Sequence, residues 1–313
     1  MQQQVTWDAQ AFLQKYREIK SRGIAANYYA IKQLRVDEFF NTIQLVRQGH
    51  YTTPSGKIVT LPDGTTMQQG TVFYDSEFTV SAPDVTDSQV QVINSDCMAV
   101  GISLALQGHR PAILNMASRS TPGGGVVRGA GAQEEGIFRR TDLFRSLYQF
   151  APFASRYGIK RSVHQYPLHP TFGGIYTPGA TIFRYGESRG YELMEQPVAM
   201  SFISVAAINH PDLEGDKIAA HQVPQAKDKM RTILRIGLKH GHDALVLGAL
   251  GCGAFCNPPR HVARLFHEVL QEPEFSGKIP LVVFAILDDH NAHRGHNPQG
   301  NYLPFAQEFQ QGI

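Results

Sequence analysis

The chain has 313 residues, of which 42% are hydrophobic and 18% charged, so a packed core of one large domain or two ordinary ones is expected and global disorder is excluded. Its 29 Lys and Arg against 27 Asp and Glu leave a formal charge of +2, too even for a protein that coats polyanions, although a local basic patch stays possible. The three cysteines, Cys97, Cys252 and Cys256, cannot form a disulfide framework for a chain this long, and an odd count fits a reducing compartment.

No stretch reaches the roughly 18 consecutive apolar residues that a membrane helix needs. The start, MQQQVTWDAQAF, has neither the basic n-region nor the apolar h-region of a Sec signal. The expectation is a soluble, cytoplasmic protein.

Residues 5–50 read as helical. Trp7, Phe12, Leu13, Tyr16 and Ile19 recur at helical spacing with Gly23 as a stop, and Ile31, Leu34, Phe39, Ile43 and Val46 share one face of a second helix. From 51 to 80 the turn signals Ser55-Gly56 and Asp63-Gly64 flank KIVTL and predict hairpin-like strands. Beyond residue 88 strands and helices alternate: QVQVIN (89–94), a helix at 95–107 capped by Ser95 or Asp96, PAILNMA (111–117), and an amphipathic helix over 132–150. Strands around Pro178-Gly179 (175–185), a central strand at 198–208, a helix at 222–241, a strand at 244–250, a helix at 258–271 opened by Pro258-Pro259, and a last strand at 280–287 complete the pattern. Strands this apolar, separated by helices, imply a mainly parallel or mixed sheet covered on both faces. The expected organisation is one three-layer α/β/α domain over 81–313, with a helical and hairpin accessory region over 1–80 packed on it.

In open α/β sheets ligands sit beyond the carboxyl ends of the strands, and three loops fall there. In LNMASRSTPGGGVVRGAGAQEEG (114–136), Gly123, Gly124, Gly125, Gly129 and Gly131 permit φ > 0, and exposed N–H groups are expected to wrap phosphate oxygens. No Gly-Lys-Ser/Thr follows and G-x-G-x-x-G is absent, so P-loop hydrolysis and Rossmann hydride transfer lose their support. GALGCGAFCNPP (248–259) again runs strand, glycines, helix start, which suits a diphosphate; Phe255 reads equally as a stacking residue or a core residue. In LDDHNAHRGHNPQGN (287–301), His290, His293 and His296 beside Asp288 and Asp289 match no known zinc spacing, and a polar terminal loop is the plainer reading. Cys252 and Cys256 lack a second pair as ligands and a recognisable base as nucleophiles.

Gln133-Glu134-Glu135 opens the helix after the first glycine loop. Adjacent acids in a first turn commonly serve only the helix dipole. Here they lie within 13 residues of GGG, with a second diphosphate-type loop elsewhere in the chain.

GGG, seven residues, then QEE resembles the signature of poly(ADP-ribose) glycohydrolases, macrodomain-fold enzymes that cut ribose–ribose bonds. NMAS, GGIYTPGATIFR, SVAAINH, LGCGAFCNPP and FAILDD follow the order of the microbial type over roughly residues 88–310, and residues 1–80 resemble its accessory region. The resemblance implies a mixed macrodomain sheet of about six strands. It implies Glu135 as catalytic acid/base, Glu134 on ribose hydroxyls and Asn115 on the distal ribose, with Gln133 counted among the substrate-binding residues. Gly123, Gly124 and Gly125 would wrap the diphosphate from one side, and Gly251, Cys252, Gly253, Ala254 and Phe255 from the other. Val126-Val127, Ser118, Cys252 and Cys256 depart from the pattern and bear on loop fit. The resemblance requires no metal and no cofactor. Its partners are ADP-ribose, poly(ADP-ribose) chains and ADP-ribosylated proteins, not membranes or sequence-specific nucleic acid, for a monomer acting from the free end of the polymer in ADP-ribosylation and the DNA damage response. A macrodomain that only reads ADP-ribose, or a hydrolase of single ADP-ribose groups on protein or nucleic acid, would share the cleft; readers lack QEE.

Overall fold

A computed structural model describes residues 4–22 and 24–310, so the helix stop assigned to Gly23 lies outside the described residues. In chain order the elements are α1 (Ala9–Ser21), α2 (Ile24–Gln48), β1 (His50–Thr52), β2 (Ile58–Thr60), α3 (Thr65–Gly70), β3 (Val72–Tyr74), β4 (Gln89–Ile93), α4 (Cys97–Leu106) and β5 (Pro111–Met116). Then come α5 (Gln133–Arg140), α6 (Phe144–Leu147), β6 (Gly174–Arg184), β7 (Leu193–Val205), the small hairpin of β8 (Leu213–Glu214) and β9 (Lys217–Ile218), and α7 (Val223–Lys239). The chain closes with β10 (Ala244–Leu247), α8 (Pro259–Leu270), β11 (Leu281–Ala285) and α9 (Tyr302–Gln310). Seven strands form a mixed central sheet in the order β3-β6-β7-β5-β10-β11-β4. The expected α/β class with a mixed sheet is the one observed. None of the described helices is long and apolar enough to cross a membrane.

The chain divides into two units. The first holds residues 4–71, 121–165 and 177–199; the second holds 72–120, 166–176 and 200–310.

In the first unit α1 is capped by Asp8, whose Oδ1 accepts from Ala11 N–H at 2.9 Å. Ser55-Gly56 turns β1 into antiparallel β2 as the sequence signals suggest, whereas Asp63-Gly64 starts α3 instead of a strand, Asp63 Oδ1 accepting from Thr65 N–H. The core joins α2 to α5 and α6 through Phe39, Phe138, Phe144 and Tyr148, all fully buried. The single helix expected over 132–150 is broken after Arg140. Thr141 turns extended and bridges Ile182, its hydroxyl donating to Ile137 O, while Asp142 Oδ1 accepts from Thr181 N–H at 2.6 Å. Those bonds to neighbouring backbone outcompete one more helical turn.

In the second unit β7, β5, β10, β11 and β4 are parallel neighbours, so their carboxyl ends share one edge. A Cβ on Gly101 of α4 would strike Ile113, and one on Gly237 of α7 would strike Leu245. Ile113 pairs with Val246 and Ala112 with Leu245, so successive residues show that α4 and α7 cover opposite faces. Phe266, Phe284 and Phe305 from α8, β11 and α9 are buried in this core, each burial stabilising by roughly 1.5–3 kcal/mol.

Pro178-Gly179 does not separate two strands: β6 runs through it, with Gly179 at φ 62°. Proline is tolerated there because β3 pairs β6 only at residues 174–176, leaving position 178 without that ladder. Helix α9 was not anticipated from sequence; Asp288 Oδ1 accepts the Asn301 and Tyr302 N–H groups at its start.

Candidate active site

The glycine loop of the first unit and the carboxylate pair are tied together. Gly123 and Gly124 have φ of 77° and 55°, conformations that only glycine takes cheaply. Gly123 N–H donates to Glu134 Oε1 at 3.0 Å, Gly125 N–H to Glu135 Oε1 at 2.8 Å, and Gly124 N–H to Thr121 O at 3.0 Å. The Gly123 and Gly125 amides thus hold the chain's own carboxylate pair, fixing Glu134 and Glu135. A Cβ on Gly124 would fall on Glu135 Oε1 and within 3.0 Å of Glu134 Oε2, which is why the position tolerates no side chain.

Both acids are buried, Glu135 at 6% exposure. One of its oxygens is held by the Gly125 amide; the other, Oε2, is sealed from solvent with no hydrogen-bond partner. A buried acceptor without a donor costs about 1–3 kcal/mol, and such sites cluster where a ligand supplies the missing group. Gln133 sits half-buried at the first position of α5.

The frame behind α5 comes from the accessory helix α2. Thr42 Oγ1 donates to Arg139 O at 2.7 Å, and Arg139 Nη1 donates to Ala130 O at 2.8 Å, on the segment that leads into QEE. Glu38, wholly buried, lies 3.4 Å from Arg184 Nε and 3.9 Å from Arg139 Nε. Burial pushes Glu38 up to about 7 against the pull of the two arginines. Sequence reading assigned no role to Glu38, Thr42 or Arg139, because helical periodicity marks them only as interruptions of an apolar face.

In the second unit Asn115 is the penultimate residue of β5, fully buried, with Nδ2 donating to Ser204 Oγ at 3.0 Å and Oδ1 sealed without a partner. The loop after β10 offers what the first glycine loop does not. The N–H groups of Gly251, Gly253, Ala254 and Phe255 have no acceptor among the described residues. Its shape is set by Asn257, whose Nδ2 reaches the carbonyls of Ile208, Gly251 and Phe255 at 2.7, 3.2 and 3.1 Å. Gly251, at φ 78°, leaves room for that amide, since a Cβ there would stand 2.5 Å from Asn257 Nδ2. Cys252 points into the core, where burial raises its thiol well above the usual range, so it contributes backbone and no nucleophile. Phe255 is partly buried against the same core.

The histidine loop serves this loop. His296 Nε2 lies 2.8 Å from Cys252 O, and Asn297 Nδ2 donates to the same carbonyl at 3.2 Å. Among the described residues no group of three His, Cys, Asp or Glu side chains is placed to hold a metal ion. Asn257 and Asn297 were not picked out from sequence; an Asn just past a glycine loop is the signal that would have found the first.

A family model for the catalytic domain of microbial-type PARG, poly(ADP-ribose) glycohydrolase, matches residues 40–185. The chain is similar to the crystal structure of poly(ADP-ribose) glycohydrolase from Thermomonospora curvata, at 28% identity and TM-score 0.71, covering 88% of this chain and 99% of that one. It is also similar to the enzyme from Deinococcus radiodurans in complex with ADP-ribose, at 31% identity and TM-score 0.58 over 81% of this chain and 99% of that one. A further Thermomonospora structure, bound to the inhibitor ADP-HPD, matches at 28% identity and TM-score 0.69, with the same coverage as the first. A comparison with curated proteins returned no match.

Proposed function

The chain belongs to the microbial-type poly(ADP-ribose) glycohydrolase family and is a glycohydrolase of that type; from that premise we propose that Glu135 is its general acid/base. One carboxyl oxygen anchored by an amide and the other buried without a partner is the observation that supports the reading. Protonated Glu135 donates its proton to the glycosidic oxygen as the bond to the ribose anomeric carbon breaks, and the departing chain leaves as an alcohol. The resulting carboxylate then takes a proton from the water that adds to the oxocarbenium-like carbon. Glu134 orients ribose hydroxyls, with Gln133 beside it at the start of α5. The Asn115 Oδ1 atom accepts from a ribose hydroxyl. The free amides of Gly251, Gly253, Ala254 and Phe255 hold a diphosphate, with Cys252 lending only backbone. Gly123, Gly124 and Gly125 act through the carboxylates they fix. The reaction as drawn uses no metal and no cofactor. The enzyme works as a cytoplasmic monomer on polymer attached to proteins, from the free end.

The test is Glu135→Gln. Loss of one general acid/base costs typically 10²–10⁴ in rate, so ADP-ribose release collapses while calorimetric ADP-ribose affinity stays within a few-fold. Wild type on a defined polymer releases monomer from the first time points. Near-native turnover by the variant refutes the assignment of Glu135, and early oligomers refute the free-end mode.

A further inference from the structure

The histidine loop and the loop after β10 meet at one peptide unit, that between Cys252 and Gly253. Its carbonyl accepts from His296 Nε2 at 2.8 Å and from Asn297 Nδ2 at 3.2 Å. A carbonyl oxygen only accepts, so the hydrogen of the first bond sits on Nε2 of His296. The N–H of the same unit, on Gly253, has no acceptor among the described residues. The unit is trans, and in a trans peptide the two groups point opposite ways. Donors gathered on the carbonyl therefore turn the Gly253 N–H away from the histidine loop, and they polarise it as a donor.

The unit needs holding because residue 253 is glycine. Turning a peptide over changes ψ of the residue before it and φ of the residue after it by about half a turn, and glycine takes φ of either sign at little cost. Turned over, the unit presents the Cys252 oxygen where the N–H now stands, and an anion meets a partial negative charge in place of a donor. The preceding unit is fixed at both ends, Gly251 O by Asn257 Nδ2 at 3.2 Å and Cys252 N–H by Ala249 O at 3.0 Å. The Cys252–Gly253 unit is fixed at its oxygen alone. Of its two donors, Asn297 also gives its amide to Asn291 O and Asn301 Oδ1, within its own loop and the start of α9. His296, half-buried, makes no other hydrogen bond or ion pair among the described residues.

We propose that His296 is a positioning residue of the substrate site: its Nε2–H holds the Cys252–Gly253 peptide with the Gly253 N–H turned outward to a diphosphate oxygen. The proposal rests on the reading of the Gly251–Phe255 amides as the holder of the diphosphate.

The test is calorimetry with ADP-ribose, with kinetics on the polymer, for His296→Leu, His296→Gln and His296→Leu combined with Gly253→Ala. Losing the hydrogen bond in His296→Leu weakens ADP-ribose binding about ten-fold. KM rises by a similar factor while kcat stays within about two-fold, since Glu135 is fixed by the other glycine loop. His296→Gln brings an amide hydrogen to the same carbonyl and keeps affinity within about three-fold of wild type. The double variant recovers part of the loss. Gly253 is not among the glycines of positive φ, turning the unit over carries it there, and alanine is penalised in that region. The added Cβ meets Asn291 Cβ at 3.3 Å, a contact relieved by a small shift. A merely structural loss, read by thermal unfolding of all three variants, would not be relieved by alanine at 253. Wild-type affinity in His296→Leu overturns the proposal, as does a loss that His296→Gln shares or that Gly253→Ala leaves unrelieved. A wild type without affinity for ADP-ribose overturns instead the diphosphate reading of the loop, and the proposal falls with it.

Discussion

Gly124→Ala tests the amide-and-carboxylate cradle with one methyl group. At φ 55° alanine costs about 1–2 kcal/mol in the left-handed region before any contact is counted. Its Cβ would fall on Glu135 Oε1, where ordinary contact begins at 3.4 Å, so the carboxylate must withdraw by ~1 Å, a displacement that can cost about 10²-fold in rate. The withdrawal also breaks the 2.8 Å bond from Gly125 N–H, leaving a buried amide unsatisfied at a cost of about 1–3 kcal/mol. The expected variant is folded, with a midpoint several degrees lower, kcat reduced about 10²-fold and ADP-ribose affinity within a few-fold of wild type, because the free amides lie in the other loop. Release of ADP-ribose from polymer, calorimetry and thermal unfolding read the three quantities. If kcat is unchanged while stability falls, the cradle is scaffold only and the placement of Glu135 does not depend on it. If affinity collapses with kcat, the glycine loop binds substrate directly.

Asn257→Ala removes the single amide that reaches the Gly251 and Phe255 carbonyls of the loop after β10 and the Ile208 carbonyl outside it. Unsatisfied carbonyls cost about 1–3 kcal/mol of stability, and ADP-ribose affinity falls about ten-fold as the loop loosens; unchanged affinity would mean that the loop's shape is set elsewhere. The pH response of stability has a named contributor in His240, stacked 3.5 Å from the Tyr176 ring with Nε2 2.9 Å from Tyr74 Oη. Burial, then His242 and Lys239, brings it down to about 4 from 6.5. The unfolded chain therefore binds the extra proton between those values, and stability present above pH 6.5 is lost as pH falls toward 4, by roughly 1–2 kcal/mol after discounting for partial exposure. His240→Gln should flatten that part of a ΔG-against-pH curve, and an unaltered slope would exclude His240 as its source.

The alternation of strand and helix and the GGG-x7-QEE spacing are legible in the sequence because each depends on neighbours in the chain: periodicity along one element, and φ > 0 at adjacent glycines. What was not legible depends on partners distant in sequence. Pro178-Gly179 reads as a turn, and only the short reach of β3 along β6 explains why one strand passes through it. Thr141-Asp142 carries no strong helix-breaking signal, and the helix ends there because Thr181 and Ile182 compete for its backbone. Glycine amides near a phosphate-type loop look alike on paper, yet one set holds two glutamates and the other is left free.

The same dependence explains the role of α2. A helix of eight residues with no side-chain cap is too short to hold its own geometry, so α5 takes its position from what packs on it. Phe138 packs against Phe39, Thr42 takes the Arg139 carbonyl, and Arg139 returns to Ala130 just before QEE. Each of these joins α5 or its entry segment to α2 or to itself, and Phe138 also lies against Gly123 of the cradle. Glu135 is thereby clamped from two sides: its carboxyl by the Gly125 amide, and its helix by an accessory element that carries no chemistry of its own. The placement of α5, and with it of Glu135, is thus drawn from residues of α2 nearly a hundred positions upstream.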